Sequence, residues 1–196
     1  PRRRRLSIED NQANSVIASL ARNCKILLYQ GHIGPRRDVR GVAQVIEELG
    51  GTWRFILMGP ADGGYLHSLT AVCPTLVYIP RVTAPYHLEI TSHAYVGVVA
   101  YSWGSLNNVF CAPNKVWEYS GFGIPMICSA LPSLQALFAG NSAGVCVDLD
   151  DGVQVERALR KIDSDYRQCS EAAQRLYKSV DVQGCISEII DEATRS

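Results

Sequence analysis

Between Ile90 and Val147 the chain carries only two formal charges, Lys115 and Glu118. Their spacing places both side chains on one face of a helix. Charge inside an apolar stretch is costly unless it is paired or used, so the two residues need a reason. One reading is a local ion pair on an exposed helical turn, a contribution of about 0.3 kcal/mol. The other is a ligand site, in which the carboxylate accepts from two vicinal hydroxyls such as those of a ribose and the ammonium, one turn nearer the helix start, reaches a phosphate.

A second candidate is the run Gly31-His-Ile-Gly-Pro-Arg-Arg-Asp-Val-Arg-Gly41. Arg36, Arg37 and Arg40 lie between two glycines and just before, or within, the first turn of a helix. Glycine lets backbone approach an anion, a helix N-terminus attracts it, and guanidinium forks bind phosphate oxygens in pairs. A solvated basic loop is the alternative. No G-x-G-x-x-G follows this strand and no G-x-x-x-x-G-K-[ST] occurs, which weakens dinucleotide oxidoreductase and P-loop readings. Gly59-Pro-Ala-Asp-Gly-Gly64 reads as a tight turn that leaves room for a ligand, or as a turn alone. Asn107 and Asn108 are turn residues or recognise hydroxyls. His32, His67, His87 and His93 are scattered and read as surface or core filling. No carboxylate pair of glycosidase spacing, Ser-His-Asp set or His/Cys cluster emerges, so neither a metal nor a bound cofactor is expected.

The elements that must position these residues alternate along the chain. Apolar runs at 25–30, 53–58, 76–79, 95–100, 125–129 and 144–147 read as strands, and the intervening segments 39–49, 64–71, 85–92, 114–122 and 132–139 as helices. Gly50-Gly51 stops the first of these, and Asn114 is placed to cap the helix that carries Lys115. Continuous apolar strands each followed by a helix predict a doubly wound, Rossmann-like α/β fold: six parallel strands with helices on both faces. Ligands of such sheets bind at the carboxyl ends of the strands. Segments 12–22, 153–164, 166–180 and 182–193 read as further helices. In the last, Val182, Cys185, Ile186, Ile189 and Ile190 form one apolar stripe. We divide the chain into a linker and leading helix (1–22), a core (23–150) and C-terminal helices of the same domain (151–196).

Composition sets the outer bounds. Of 196 residues 47% are hydrophobic and 19% charged, as in one compact globular domain. Net charge is zero, which argues against a nucleic-acid binder working through bulk positive charge. The basic residues crowd before residue 41 and the acidic ones after 147. No apolar run reaches the roughly 18 residues of a membrane helix. The seven cysteines form an odd set without a C-x-x-C pair and read as reduced and structural. No secretory signal is evident, so a cytoplasmic location is expected. The chain opens at Pro1 in a basic stretch and reads as a piece of a longer protein.

Pro113-Asn-Lys-Val-Trp-Glu-Tyr-Ser-Gly-Phe-Gly-Ile-Pro125-Met-Ile resembles the P-x-K-x-x-E-Y-x-x-x-G-x-P-V-I signature of retaining GT-B glycosyltransferases related to glycosyltransferase family 4. Tyr29-Gln-Gly31 with Arg40-Gly41 is similar to the Gly-rich, basic first loop of that family's C-terminal domain. The resemblance covers roughly residues 23–150 and implies one half of a GT-B fold, the half that binds a nucleotide-sugar donor. It implies that Glu118 holds the ribose hydroxyls, that Lys115 and Arg40, with Arg37 or Arg36, hold the diphosphate, and that backbone near Arg81 and Val82 meets the base. Gly31 and Asn108 complete the candidate donor-binding set. Two positions depart from the pattern: Phe110 stands where the family often has Glu, and His32 where it has Arg.

The activity implied is transfer of a sugar from a nucleoside diphosphate to a glycan or lipid acceptor with retention, without metal. Its partner would be an N-terminal acceptor-binding domain of the same protein. No nucleic acid is involved, and the full protein has room for peripheral membrane association. Two alternatives stay open. A nucleotide-sugar 2-epimerase shares the build, but interior carboxylates beyond Glu118 are missing. A non-catalytic nucleotide-binding module is the other.

Overall fold

The computed structural model describes residues 12–180 and 182–194. The basic run Arg2–Arg5 and the remainder of the linker up to residue 11 lie outside them. A sheet of six parallel strands forms the centre: β1 (Lys25–Gln30), β2 (Trp53–Met58), β3 (Val77–Ile79), β4 (Val96–Val99), β5 (Met126–Ser129) and β6 (Gly144–Val147). Their order is β3-β2-β1-β4-β5-β6. Each strand reads as an apolar run because both faces are covered. The helices are α1 (Gln12–Asn23), α2 (Arg40–Leu49), α3 (Gly63–Val72), α4 (His87–Thr91), α5 (Leu106–Val109), α6 (Asn114–Gly121), α7 (Pro132–Phe138), α8 (Gly152–Ser164), α9 (Tyr166–Lys178) and α10 (Val182–Thr194). The doubly wound α/β expectation holds. The short α5 and a 3-10 turn at Pro35–Arg37 fall in segments read as loops.

Alternation along β1 divides the core in two. Leu27 and Tyr29 face Val42, Val45 and Ile46 of α2, Leu69 of α3, and Val155 and Leu159 of α8. Ile26 and Leu28 face Ile17 of α1, Ile90 of α4, Val116 and Tyr119 of α6, Leu134 of α7 and Ala173 of α9. Tyr119 crosses the core to donate its hydroxyl to the Leu28 carbonyl at 2.8 Å. Lys25 pairs with Asp163 at 2.7 Å, tying the start of β1 to α8. On α10, Ile186 and Ile190 are about half exposed; the side chains of Val182, Cys185 and Ile189 lie outside the described residues. The six described cysteines are free thiols, with Cys128 opposite Cys146 in the β5–β6 register.

Parallel pairing continues past the strand ends and builds a floor. The Gly31 N–H donates to Met58 and the Gly59 N–H to Ile79. Gly59, at φ +140, lies so close to the neighbouring loop that a methyl there would stand 2.1 Å from the Gly31 carbonyl oxygen. Only glycine meets both demands.

Candidate functional site

Strand order reverses between β1 and β4, where the chain leaves β3 at one edge and returns on the other side of β1. Loops diverge there and leave a crevice at the carboxyl ends of the strands. A cavity of about 370 Å³ opens at that point. Gln30 and Gly31 follow from β1, Gly59 and Pro60 from β2, Arg81, Val82 and Ala84 from β3, and Tyr101 from β4, while His87, Asn114, Lys115 and Glu118 come from helices α4 and α6.

Lys115 and Glu118 thus line one pocket, as the helical spacing requires. They are not the local ion pair of the alternative reading. Lys115 is 7% exposed, and its Nζ has no hydrogen-bond partner among the described residues. The ammonium lies 4.6 Å from the ring centre of Tyr29 and 5.1 Å from that of Tyr101, which returns only part of the lost hydration. Burial, seconded by the nearby Arg37 guanidinium and opposed by Glu118, brings the Lys115 pKa down to about 7. Burial also pushes the Tyr29 phenol up to about 12.

Glu118 is fixed from two sides. Gln30 donates its side-chain amide to Oε2, and His87 Nε2 lies 3.3 Å from Oε1. The buried Thr91 hydroxyl sits 2.6 Å from Gln30 Oε1. Gln30, Thr91 and His87 were not identified as site residues from sequence, and His87, read as surface or core filling, borders the pocket instead. The one available signal was a polar Gln closing an otherwise apolar strand.

The three arginines of the first loop separate. The 3-10 turn brings Arg37 back over Tyr101, its guanidinium carbon 4.8 Å from the ring centre, and a methyl at Gly31 would stand 3.5 Å from its Nη1. Arg40 begins α2, its backbone N–H held by Asp38 and its Nη2 3.4 Å from Ser68 on α3. Neither Arg40 nor Arg37 borders the cavity. Gly31 and Val82 do, while Asn108 lies on α5, bonded to Ser102 and Ser105. Asn114 is in the wall, but it is not the cap of α6. Pro113 holds that position without a side-chain hydrogen bond, because an extended Pro needs no N–H there and leaves the first amides of the helix unpaired by any side-chain cap. His32 is exposed and lies 3.5 Å from Asp62. Phe110, at the end of α5, is 68% exposed.

Beyond Tyr101 a second cavity of about 560 Å³ is lined by Trp103, Asp38 and the pair Asp148 and Asp150, a D-x-D run that corrects the expectation of a metal-free site in so far as it assumes no such pair. Among the described residues no group of three His, Cys, Asp or Glu side chains is placed to hold a metal ion. No described helix is long and apolar enough to cross a membrane.

Comparison with solved structures decides the fold. Anabaena Alr3699/HepE in complex with UDP-glucose superimposes with a TM-score of 0.73 at 11% identity, over 96% of this chain and 54% of that one. The chain has the fold of one half of a GT-B glycosyltransferase. Sucrose-phosphate synthase from Thermosynechococcus elongatus gives a TM-score of 0.67 at 17% identity over 89% of this chain and 45% of that one. AviGT4, a glycosyltransferase involved in avilamycin A biosynthesis, gives 0.60 at 22% identity over 78% and 47%. The chain therefore spans about half the length of the structures it matches. No family model matches it, and no curated protein does by sequence.

Proposed function

We propose that this chain is the donor-binding half of a glycosyltransferase that moves a sugar from a nucleoside diphosphate to a glycan or lipid acceptor with retention. The observation that carries the reading is a buried ammonium without a hydrogen-bond partner among the described residues, one helical turn from a carboxylate, both lining one crevice at the switch point of the sheet. An unpaired buried cation calls for an anion, and a diphosphate supplies one. Glu118 takes the vicinal hydroxyls of the ribose. Lys115, Arg37 and the first amides of α6 neutralise the diphosphate as it leaves, so the reaction proceeds without metal. Backbone near Arg81 and Val82 meets the base.

HepE, bound to UDP-glucose, makes a uridine donor the first to try. The acceptor site and the rest of the catalytic groups belong to an N-terminal domain of the same protein, a reading supported by the chain spanning about half the length of the structures it matches, because closure of two domains completes such sites. Titration of the chain with UDP and GDP, followed by NMR without divalent metal, tests the reading. Millimolar nucleotide should shift resonances around the pocket, and an unchanged spectrum overturns it. Sugar transfer by this chain alone would refute the division of labour.

A further inference from the structure

The carboxylate of Glu118 belongs to a ring of four residues drawn from three elements, with His87 taking part through its main-chain carbonyl as well as its imidazole. Gln30 closes β1 and is 5% exposed, while Thr91 of α4 is fully buried. The Gln30 amide nitrogen donates to Glu118 Oε2, and the Thr91 hydroxyl lies 2.6 Å from Gln30 Oε1 and 2.9 Å from the His87 carbonyl. His87 Nε2 closes the ring at Glu118 Oε1, 3.3 Å away.

Proton counting orders this ring. A hydroxyl has one proton to give. Were Thr91 to give it to the His87 carbonyl, its oxygen would have to accept from the Gln30 amide. The amide would then turn its own oxygen toward the carboxylate and set two acceptors against each other. With Glu118 ionised, the nitrogen of Gln30 faces Glu118 and the Thr91 proton faces Gln30. A carboxylate that must accept from two adjacent hydroxyls has to present its plane at one angle, and an unsupported Glu side chain rotates freely about its last bond.

We infer that Gln30, locked by Thr91, is a positioning residue that sets the angle of Glu118 and with it the site's preference for a ribose over a 2′-deoxyribose. This rests on the reading of Glu118 as the ribose-binding group. No contact between Gln30 and the nucleotide is required.

Calorimetry with UDP, 2′-deoxy-UDP and inorganic pyrophosphate on Gln30→Leu, Thr91→Val and Thr91→Ser tests this. Thr91→Val keeps the side-chain shape and removes only the hydroxyl, so it serves should Gln30→Leu misfold. Both should lower the ratio of 2′-deoxy-UDP to UDP dissociation constants about three- to tenfold, through weaker UDP binding, with pyrophosphate affinity unchanged. Thr91→Ser should restore the ratio. Equal weakening of both nucleotides, or a lowered Tm with an unaltered ratio, assigns the ring to stability alone and overturns the inference. Glu118→Gln is the reference. If it removes the ribose preference while Gln30→Leu and Thr91→Val retain it, the positioning role fails and the ribose reading stands. If Glu118→Gln itself leaves the ratio unchanged, both fail.

Discussion

The Lys115 ammonium stands 4.6 Å from the centre of the Tyr29 ring and has no hydrogen-bond partner among the described residues. A cation so placed costs the fold stability in return for attraction to an anion. Lys115→Met, which fills the same space without charge, should stabilise the free protein at pH 6 by about 1–3 kcal/mol. The same variant should bind UDP at least tenfold more weakly, with the difference from wild type shrinking as salt rises. Denaturant melts and calorimetry at two ionic strengths measure the two effects.

The same residue sets a pH dependence. Folded, Lys115 loses its proton near pH 7, against an ordinary value of 10.5. Below pH 7 both folded and unfolded chains carry the charge, and the folded one bears the full cost of burying it. Between about pH 7 and 10.5 the unfolded chain holds a proton the folded one has shed, so stability rises with pH across this window, by up to about 1.4 kcal/mol per unit. The groups facing Lys115 are Arg37 from the first loop, Glu118 on its own helix, Cys111, and Cys128 from β5, with the Tyr29 and Tyr101 rings against it. Urea melts of wild type and Lys115→Met from pH 6 to 9 should diverge in slope, the variant lacking this component.

A bound diphosphate restores the charge on Lys115, so binding above pH 7 should take up as much as one proton. Affinity then falls toward alkaline pH. Calorimetry in buffers of different ionisation enthalpy reads the uptake directly, and Lys115→Met should abolish it.

Glu118 has Gln30 and His87 as protein partners, and among the described residues no Lys or Arg in ion-pair contact. Glu118→Ala should weaken nucleotide binding by tenfold or more and, because it leaves the buried Gln30 amide without its acceptor, lower stability by about 1–3 kcal/mol. Removing the 2′-hydroxyl of the nucleotide should reproduce part of this loss and none of the loss in Lys115→Met. Affinities of both variants for UDP and its 2′-deoxy form separate the two contributions.

Gly59→Ala asks for a methyl 2.1 Å from the Gly31 carbonyl oxygen at a φ of +140. The loops after β1 and β2 must part, at a cost of roughly 1–3 kcal/mol. Because those loops are the pocket floor, UDP affinity should fall along with the denaturation midpoint. Ser142, far from the crevice on the turn before β6, is a control position whose alanine variant should change neither.

Much of this protein is legible from local pattern. Apolar runs such as Lys25–Gln30 and Trp53–Met58 announce buried parallel strands because both faces of the sheet exclude water, and their alternation with amphipathic stretches prescribes the doubly wound arrangement. Lys115 and Glu118 stand out for the same reason: in a segment otherwise without charge, two ionised groups at helical spacing are retained against their burial cost. Helix boundaries fell close to their sequence expectation wherever glycine or proline marked them, as at Gly50 and Pro132.

The partners in the pocket were decided at the tertiary level. Gln30 meets Glu118 across 88 residues and Thr91 across 61, distances over which side-chain periodicity carries no information. Which of Arg36, Arg37 and Arg40 turns inward depends on a single 3-10 turn, and whether Asn108 or Asn114 reaches the cavity depends on how α5 leads into α6. Burial is a local property, written in each segment by the free energy of leaving water. Juxtaposition follows from strand order, and the reversal between β1 and β4 that opens the crevice exists only once all six strands have paired.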